Sequence, residues 1–187
     1  MRTYVRCKAC GYIMETGRLK ERCPACGVPA KQFEPYEEKV SEKRKRILDL
    51  HIHPVIVHLP QAFSAFLVVL AAVLALLGEG DLRRTFLSCA RVLAGVLPLS
   101  VVAAFAAGLL DGKIRFRRVT TPILVRKMVT GALFFATSFA AAFLALFTGL
   151  DGASGLLPFA VLSLLSLGTA SLLGVWGSSL MNAKFPG

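Results

Sequence analysis

Four cysteines stand in two Cys-x2-Cys pairs, Cys7 with Cys10 and Cys23 with Cys26, with twelve residues between the pairs. Two such pairs can set four thiolates tetrahedrally around one metal ion, an arrangement that zinc and iron sites share. Disulfides or unliganded thiols are the competing reading of the same residues. A glycine follows each pair, Gly11 and Gly27. Glycine there lets the chain turn tightly and aims backbone N–H groups at the sulfurs. A second chemical feature is the stretch from His51 to Pro60, which holds His51, His53 and His58, all the histidines of the chain. Imidazole can ligate haem iron, hydrogen-bond a quinone carbonyl or carry a proton. No Ser-His-Asp set, phosphate loop or paired catalytic carboxylates is visible, which argues against a hydrolase or a kinase.

The elements that must position these groups are of two kinds. The 187 residues are 55% hydrophobic and carry a net charge of +11, with a mean hydropathy of +0.64. So apolar an average does not fit one soluble globule, and it is unevenly spread: residues 1–50 hold 12 of the 22 Lys and Arg and 7 of the 11 acids. Beyond them lie four apolar runs, about 54–77, 92–110, 128–150 and 156–180, each close to the roughly 20 residues that a bilayer requires. The expected fold is a small metal-bound β-knuckle domain over 1–36, a charged linker over 37–50 and an all-α bundle of four transmembrane helices over 51–187. The linker reads as a helix from Glu34 to Leu50, with Glu37, Glu38 and Glu42 early and the bases Lys43 to Arg46 late, an order that suits the helix dipole.

Orientation follows from the Lys and Arg count. The N-terminal segment holds twelve, the second connection six and the C-terminal tail one (Lys184), all on one face, against three in the first connection on the other. Positive residues favour the cytoplasm. Both termini and the metal domain are therefore expected on the cytoplasmic side of the inner membrane. No apolar leader is visible over residues 1–31, and a reducing compartment keeps cysteines as ligands. The Lys43–Arg46 cluster reads first as a solvated anchor beside the membrane; it could also bind acidic lipid headgroups at about 1 kcal/mol per residue, and nucleic acid is not an expected partner.

Within the bundle, Gly168, Ser171, Gly174, Gly177 and Ser178 suggest a small-residue packing face on the last helix. Phe135, Phe139, Phe143 and Phe147 form a stripe expected to face lipid or packing. Pro60 and Pro98 are expected to kink their spans, and Cys89 reads as a small buried apolar residue. His53-Pro54 looks like a helix start. That places His58 just over one turn inside the span and His51 outside it. An ionisable group inside a span is a functional candidate by default. Asp111 reaches a similar depth and can orient one of the histidines or pair with Arg126 or Lys127.

The stretch from Tyr4 to Phe33 resembles a rubredoxin domain of the short form that ends rubrerythrins. The likeness rests on Cys7 to Tyr12, on Cys23-Pro-Ala-Cys-Gly-Val-Pro29 and on the closing Phe33. It implies a single iron held by Cys7, Cys10, Cys23 and Cys26, with zinc as the alternative, and a minimal aromatic core of Tyr4, Tyr12 and Phe33. His53-Pro-Val-Ile-Val-His-Leu-Pro60, with the Gly108-Leu-Leu-Asp111 ending, resembles an uncharacterised family of four-helix bacterial membrane proteins. That likeness implies a redox or haem-related membrane role. Helices two to four carry no histidine, so a haem b would need both ligands from one helix, from a dimer partner, or from a methionine such as Met128 or Met181.

Together these readings lead to a membrane-bound electron carrier rather than a stand-alone enzyme. It would exchange single electrons between a soluble cytoplasmic redox protein and a quinone or haem b site formed by His53, His58, His51 and Asp111, alone, as a homodimer or in a larger membrane complex. Lys8, Arg18, Lys20 and Arg22 offer a basic face for an acidic partner. The rival is a zinc-ribbon membrane adaptor or metal sensor that recruits a cytoplasmic protein.

Overall fold

The structure, a computed structural model, describes residues 3–37, 41–116 and 120–181. Arg2, Glu38, Lys39, Arg117, Arg118 and Lys184, used above in the linker and the charge count, lie outside them. The chain falls into two compact units, one containing the N-terminal residues through Lys45 and the other running from Arg46 to Trp176.

The first unit is a three-stranded antiparallel sheet of β1 (Tyr4–Cys7), β2 (Ile13–Glu15) and β3 (Phe33–Tyr36), in the order β2-β1-β3. β1 registers Arg6 opposite Glu34 and Cys7 opposite Phe33. The Arg6 Nε donates to Glu34 Oε1 at 3.0 Å. Pro35 is tolerated because β3 is an edge strand, where a missing N–H faces away from the ladder. Glu34–Tyr36 is thus strand, not the start of the expected linker helix. Pairing with β1 claims these residues, and helix begins only at Glu42 in α1 (Glu42–Leu48).

The second unit is helical: α2 (Ile52–Ile56), α3 (His58–Leu76), α4 (Asp81–Phe116), α5 (Pro122–Phe143) and α6 (Ala153–Met181). Four helical runs are long and apolar enough to cross a membrane: Lys43–Leu76, interrupted by turns, then Asp81–Ile114, Pro122–Thr148 and Ala153–Ser178. Helix starts at Ile52, one residue before His53, with His51 as the preceding cap in the left-handed region at φ 51. Histidine is among the few non-glycine residues enriched there. α2 gives way to α3 beside Pro60, whose nitrogen has no hydrogen to offer the Ile56 carbonyl. Pro98 lies inside α4 without dividing it. α4 also outlasts the expected end at Leu110 by six residues, so Gly112 is an interior helix residue rather than a stop.

The bundle interior holds many small side chains, and many large apolar ones lie outside. Its core includes Leu67 and Ala71 of α3, Ala90, Ala94 and Leu97 of α4, and Ala141 of α5. Without a hydrophobic drive between helices in lipid, close backbone approach of this kind is what holds spans together. Large apolar side chains point outward, Phe147 at 75% exposure and Leu99 at 69% among them. A water-facing surface this apolar would aggregate; a lipid-facing one is at home. The phenylalanine stripe lies on that outer surface, with Phe135 and Phe139 stacked at 5.9 Å and Phe143 and Phe147 at 5.1 Å. Cys89 is exposed, not buried as expected. The inward face of α4 is taken by Leu87, Ala90, Ala94 and Leu97, and Cys89 falls off it.

The buried polar side chains among the described residues are all hydroxyls: Ser64, Ser100, Thr130, Ser138, Ser163 and Ser166. Ser166 Oγ bonds Thr137 Oγ1 at 3.0 Å, joining α6 to α5. α6 therefore packs through Phe159, Ser163, Ser166 and Ala170, while Ser171, from the expected small-residue face, is exposed. Gly174 does belong to a contact, since a Cβ there would meet Gln61 Nε2 at 2.9 Å.

At the opposite end of the bundle, Arg83 donates from Nη1 to the Leu77 carbonyl at 3.0 Å and from Nη2 to the Asp151 carbonyl at 3.2 Å. It caps the end of α3 and ties it to the α5–α6 turn. That turn follows a π-helical turn, Leu144–Thr148, and depends on Gly149 at φ 82. A Cβ on Gly155 would run into the Gly149 carbonyl oxygen. Gly155→Ala is expected to destabilise the bundle by about 1–3 kcal/mol, read as a lower thermal midpoint in mild detergent; an unchanged midpoint would contradict this packing.

Candidate functional site

Two local folds build the first site, and they repeat each other. The Cys7 N–H donates to the Tyr12 carbonyl at 2.8 Å, and the Cys23 N–H donates to the Val28 carbonyl at 2.8 Å. The Gly11 N–H closes onto the Cys7 carbonyl at 2.8 Å, and the Gly27 N–H onto the Cys23 carbonyl at 2.9 Å. Both glycines adopt positive φ, 75 and 77. Each turn returns a backbone N–H to a sulfur two residues back, Tyr12 to Cys10 and Val28 to Cys26. The spacing read from the sequence is therefore a pair of matched knuckles.

These knuckles bring the four sulfurs within 4.8 Å of one another. Cys7 and Cys26 Sγ are 3.8 Å apart, as are Cys10 and Cys23 Sγ. A disulfide needs about 2.05 Å, so the cysteines are thiols. A tetrahedron with metal–sulfur bonds of about 2.3 Å has edges of about 3.8 Å. The donor set and its dimensions fit one tetrahedrally bound metal ion. Cys7, Cys10 and Cys23 are buried, and Cys26 is the partly open corner.

The electrostatics point the same way. Tyr12's N–H acts to lower the Cys10 thiol, but burial and the sulfurs of Cys26, Cys7 and Cys23 prevail and push it up to about 12. Burial alone would raise Cys23, yet the N–H groups of Cys26 and Ala25 and the neighbouring sulfurs bring it down to about 7. Val28's N–H favours the Cys26 thiolate, but burial and the sulfurs of Cys23 and Cys7 leave that thiol raised. Four thiols this close resist ionising together, and a cation at the centre removes the conflict.

The cage is also the core of its unit. The buried apolar residues there are Cys7, Cys10 and Cys23, with Ala9, Cys26, Val28 and Phe33 packed against them. Of the expected aromatic core, Phe33 takes part. Tyr12 is 41% exposed, and Tyr4 receives the Lys45 ammonium over its ring at 5.2 Å.

The histidines separate. His53 turns toward α4, where a Cβ on Gly108 would come within 2.9 Å of its Cε1. The Ala104 carbonyl interacts with its ring, and Asp111 and Lys127 lie near enough for their charges to act on it. Ala104, Gly108 and Asp111 fall on one face of α4 at i, i+4 and i+7. The structure thus brings together His53, Asp111 and Lys127 from three helices. His58 faces outward with its Nδ1 at 2.6 Å from the Pro54 carbonyl, and His51 is exposed with its Nδ1 at 2.7 Å from the Asp49 carbonyl. His53 and His58 thus face different surroundings in this chain. Gly108 as the seat of His53 was not read from the sequence; its place one turn before Asp111 is the signal that marks it.

Two glycine-closed knuckles, a small sheet and four convergent thiols define a small metal-binding domain of the one-metal, four-cysteine class. Residues 6–34 match the family described as rubrerythrin, rubredoxin-like domain. This stretch is a rubrerythrin-type rubredoxin-like domain, whose usual metal is iron. No curated protein and no solved structure matches the chain.

Because the metal replaces a hydrophobic core, Cys10→Ala or a strong chelator is expected to abolish the fold of the first unit, seen as collapse of its amide chemical-shift dispersion. A dispersed metal-free spectrum would contradict this. Gly27 sits at φ 77 with open space around its Cβ position, so Gly27→Ala tests backbone strain alone. A left-handed non-glycine residue costs roughly 1–2 kcal/mol; metal affinity in a chelator competition should fall about tenfold.

Proposed function

We propose that the protein is a membrane-bound electron carrier. Cys7, Cys10, Cys23 and Cys26 hold one iron, and the protein moves single electrons between a soluble cytoplasmic redox protein and a quinone or haem b at the His53 end of the bundle. The observation that carries this reading is the closed cage: four sulfurs at tetrahedral spacing leave no corner for a substrate. Bound iron would supply a one-electron couple between its ferrous and ferric states.

The chain's own residues do the rest. The N–H groups of Tyr12 and Val28 stabilise negative charge on Cys10 and Cys26, which favours the reduced, more negative cage. The partly open Cys26 is the corner nearest a docking partner. Lys8, Arg18, Lys20 and Arg22 are exposed and suit an acidic surface. The Lys and Arg bias supports a cytoplasmic metal domain, in reach of soluble reductants, with lipid around the four helices. Reducing a quinone to a quinol consumes two electrons and two protons, so a one-electron donor acts twice per quinone. His53 is the histidine that faces another helix, which favours quinone over a haem b that needs a second axial ligand.

Full-length protein in liposomes tests this reading. Reduced and bleached under anaerobic conditions, it should regain its red colour at a rate that rises with the quinone content of the bilayer. Recolouring no faster than in quinone-free liposomes, with no haem in a pyridine extract, would overturn it.

A further inference from the structure

The end of the bundle at which α2, α4 and α5 converge contains a buried hydrogen-bonding atom with nothing to bond. Among the described residues, His53 Nδ1 is the one buried side-chain nitrogen or oxygen without a hydrogen-bond partner. An unsatisfied buried polar atom costs roughly 1–3 kcal/mol. Gly108 leaves room for the imidazole edge at a distance where any side chain would collide with it.

Charge narrows the ligand. Asp111 and Lys127, one acidic and one basic, both lie near His53, so its surroundings carry both signs of charge and do not single out an anion or a cation. The neighbouring surfaces are apolar: Gly112 packs against Leu124, and Gly131 against Phe105. His53 is the second residue of α2, which places it at the end of a span rather than at mid-bilayer. A neutral, lipid-soluble molecule with a polar oxygen matches each of these features.

We propose that His53 Nδ1 is the hydrogen-bonding anchor of a quinone headgroup, with Gly108 giving the imidazole room and with Asp111 and Lys127 as the charged groups beside it. This rests on the quinone-linked reading above and assigns its site to this cluster, without His58 or His51. One ring oxygen of the quinone or quinol pairs with Nδ1.

The test is binding, not turnover. A short-tailed ubiquinone and a short-tailed menaquinone are titrated into the oxidised full-length protein in mild detergent, with bound quinone counted after gel filtration and its carbonyl stretch read by infrared spectroscopy. The intact protein should bind one per chain with the stretch shifted to lower frequency. His53→Leu should weaken binding about tenfold, the worth of one hydrogen bond, and abolish the shift. His53→Gln should restore part of it, Gly108→Ala should weaken binding by displacing the ring, and His58→Leu should change nothing. Unchanged helical circular dichroism qualifies each variant. Full binding and an unaltered carbonyl shift in folded His53→Leu would overturn the assignment while leaving quinone-linked electron transfer standing. No binding to the intact protein, together with no recolouring by quinone in liposomes, would overturn both.

Discussion

Four sulfur atoms within 4.8 Å of one another are the constraint on which the N-terminal unit depends. Their mutual repulsion once ionised, and the burial of three of them, make the arrangement unfavourable without a cation at its centre. Everything local to them serves to hold that geometry. The two glycines turn the chain, the strand register sets Phe33 beside Cys7, and backbone N–H groups approach the sulfurs. The apolar core that a larger domain would use is here reduced to a few side chains. Below about 40 residues a metal commonly replaces it.

The helical unit follows the reverse logic. Its interior is mostly alanines, hydroxyls and leucines with Phe134 and Phe159, and many large apolar groups face out. In that setting a polar side chain at a helix contact is conspicuous. The five buried serines bond within the bundle, four of them to carbonyls of their own helices, as Ser64 does to Pro60 at 2.6 Å. Five bonded serines beside one unpartnered Nδ1 set His53 apart from the other polar groups of the bundle.

Much of this was legible in the sequence because the signals are local. Cys-x2-Cys-Gly dictates a knuckle wherever it occurs, and runs of twenty apolar residues dictate spans. The resemblance seen over Tyr4 to Phe33 agrees with the family match over residues 6–34. What was not legible depends on partners. Glu34 to Tyr36 opens a stretch whose acids, Glu34, Glu37, Glu38 and Glu42, suit a helix start, yet the register with β1 makes it a strand. Cys89 is apolar enough to be buried, and only the rotation of α4 turns it outward. The three histidines share one short stretch, but helical geometry sends His53 toward Gly108 and His58 toward the outer surface. Tyr12 looked like core and is half exposed, because the sulfurs themselves occupy the centre.

The most direct measurement of the account's central claim is the metal content and visible spectrum of the full-length protein isolated from its own cells. One iron per chain, with charge-transfer absorption that disappears on one-electron reduction and returns on oxidation, is the predicted result. One zinc per chain and no visible absorption at any potential would contradict it.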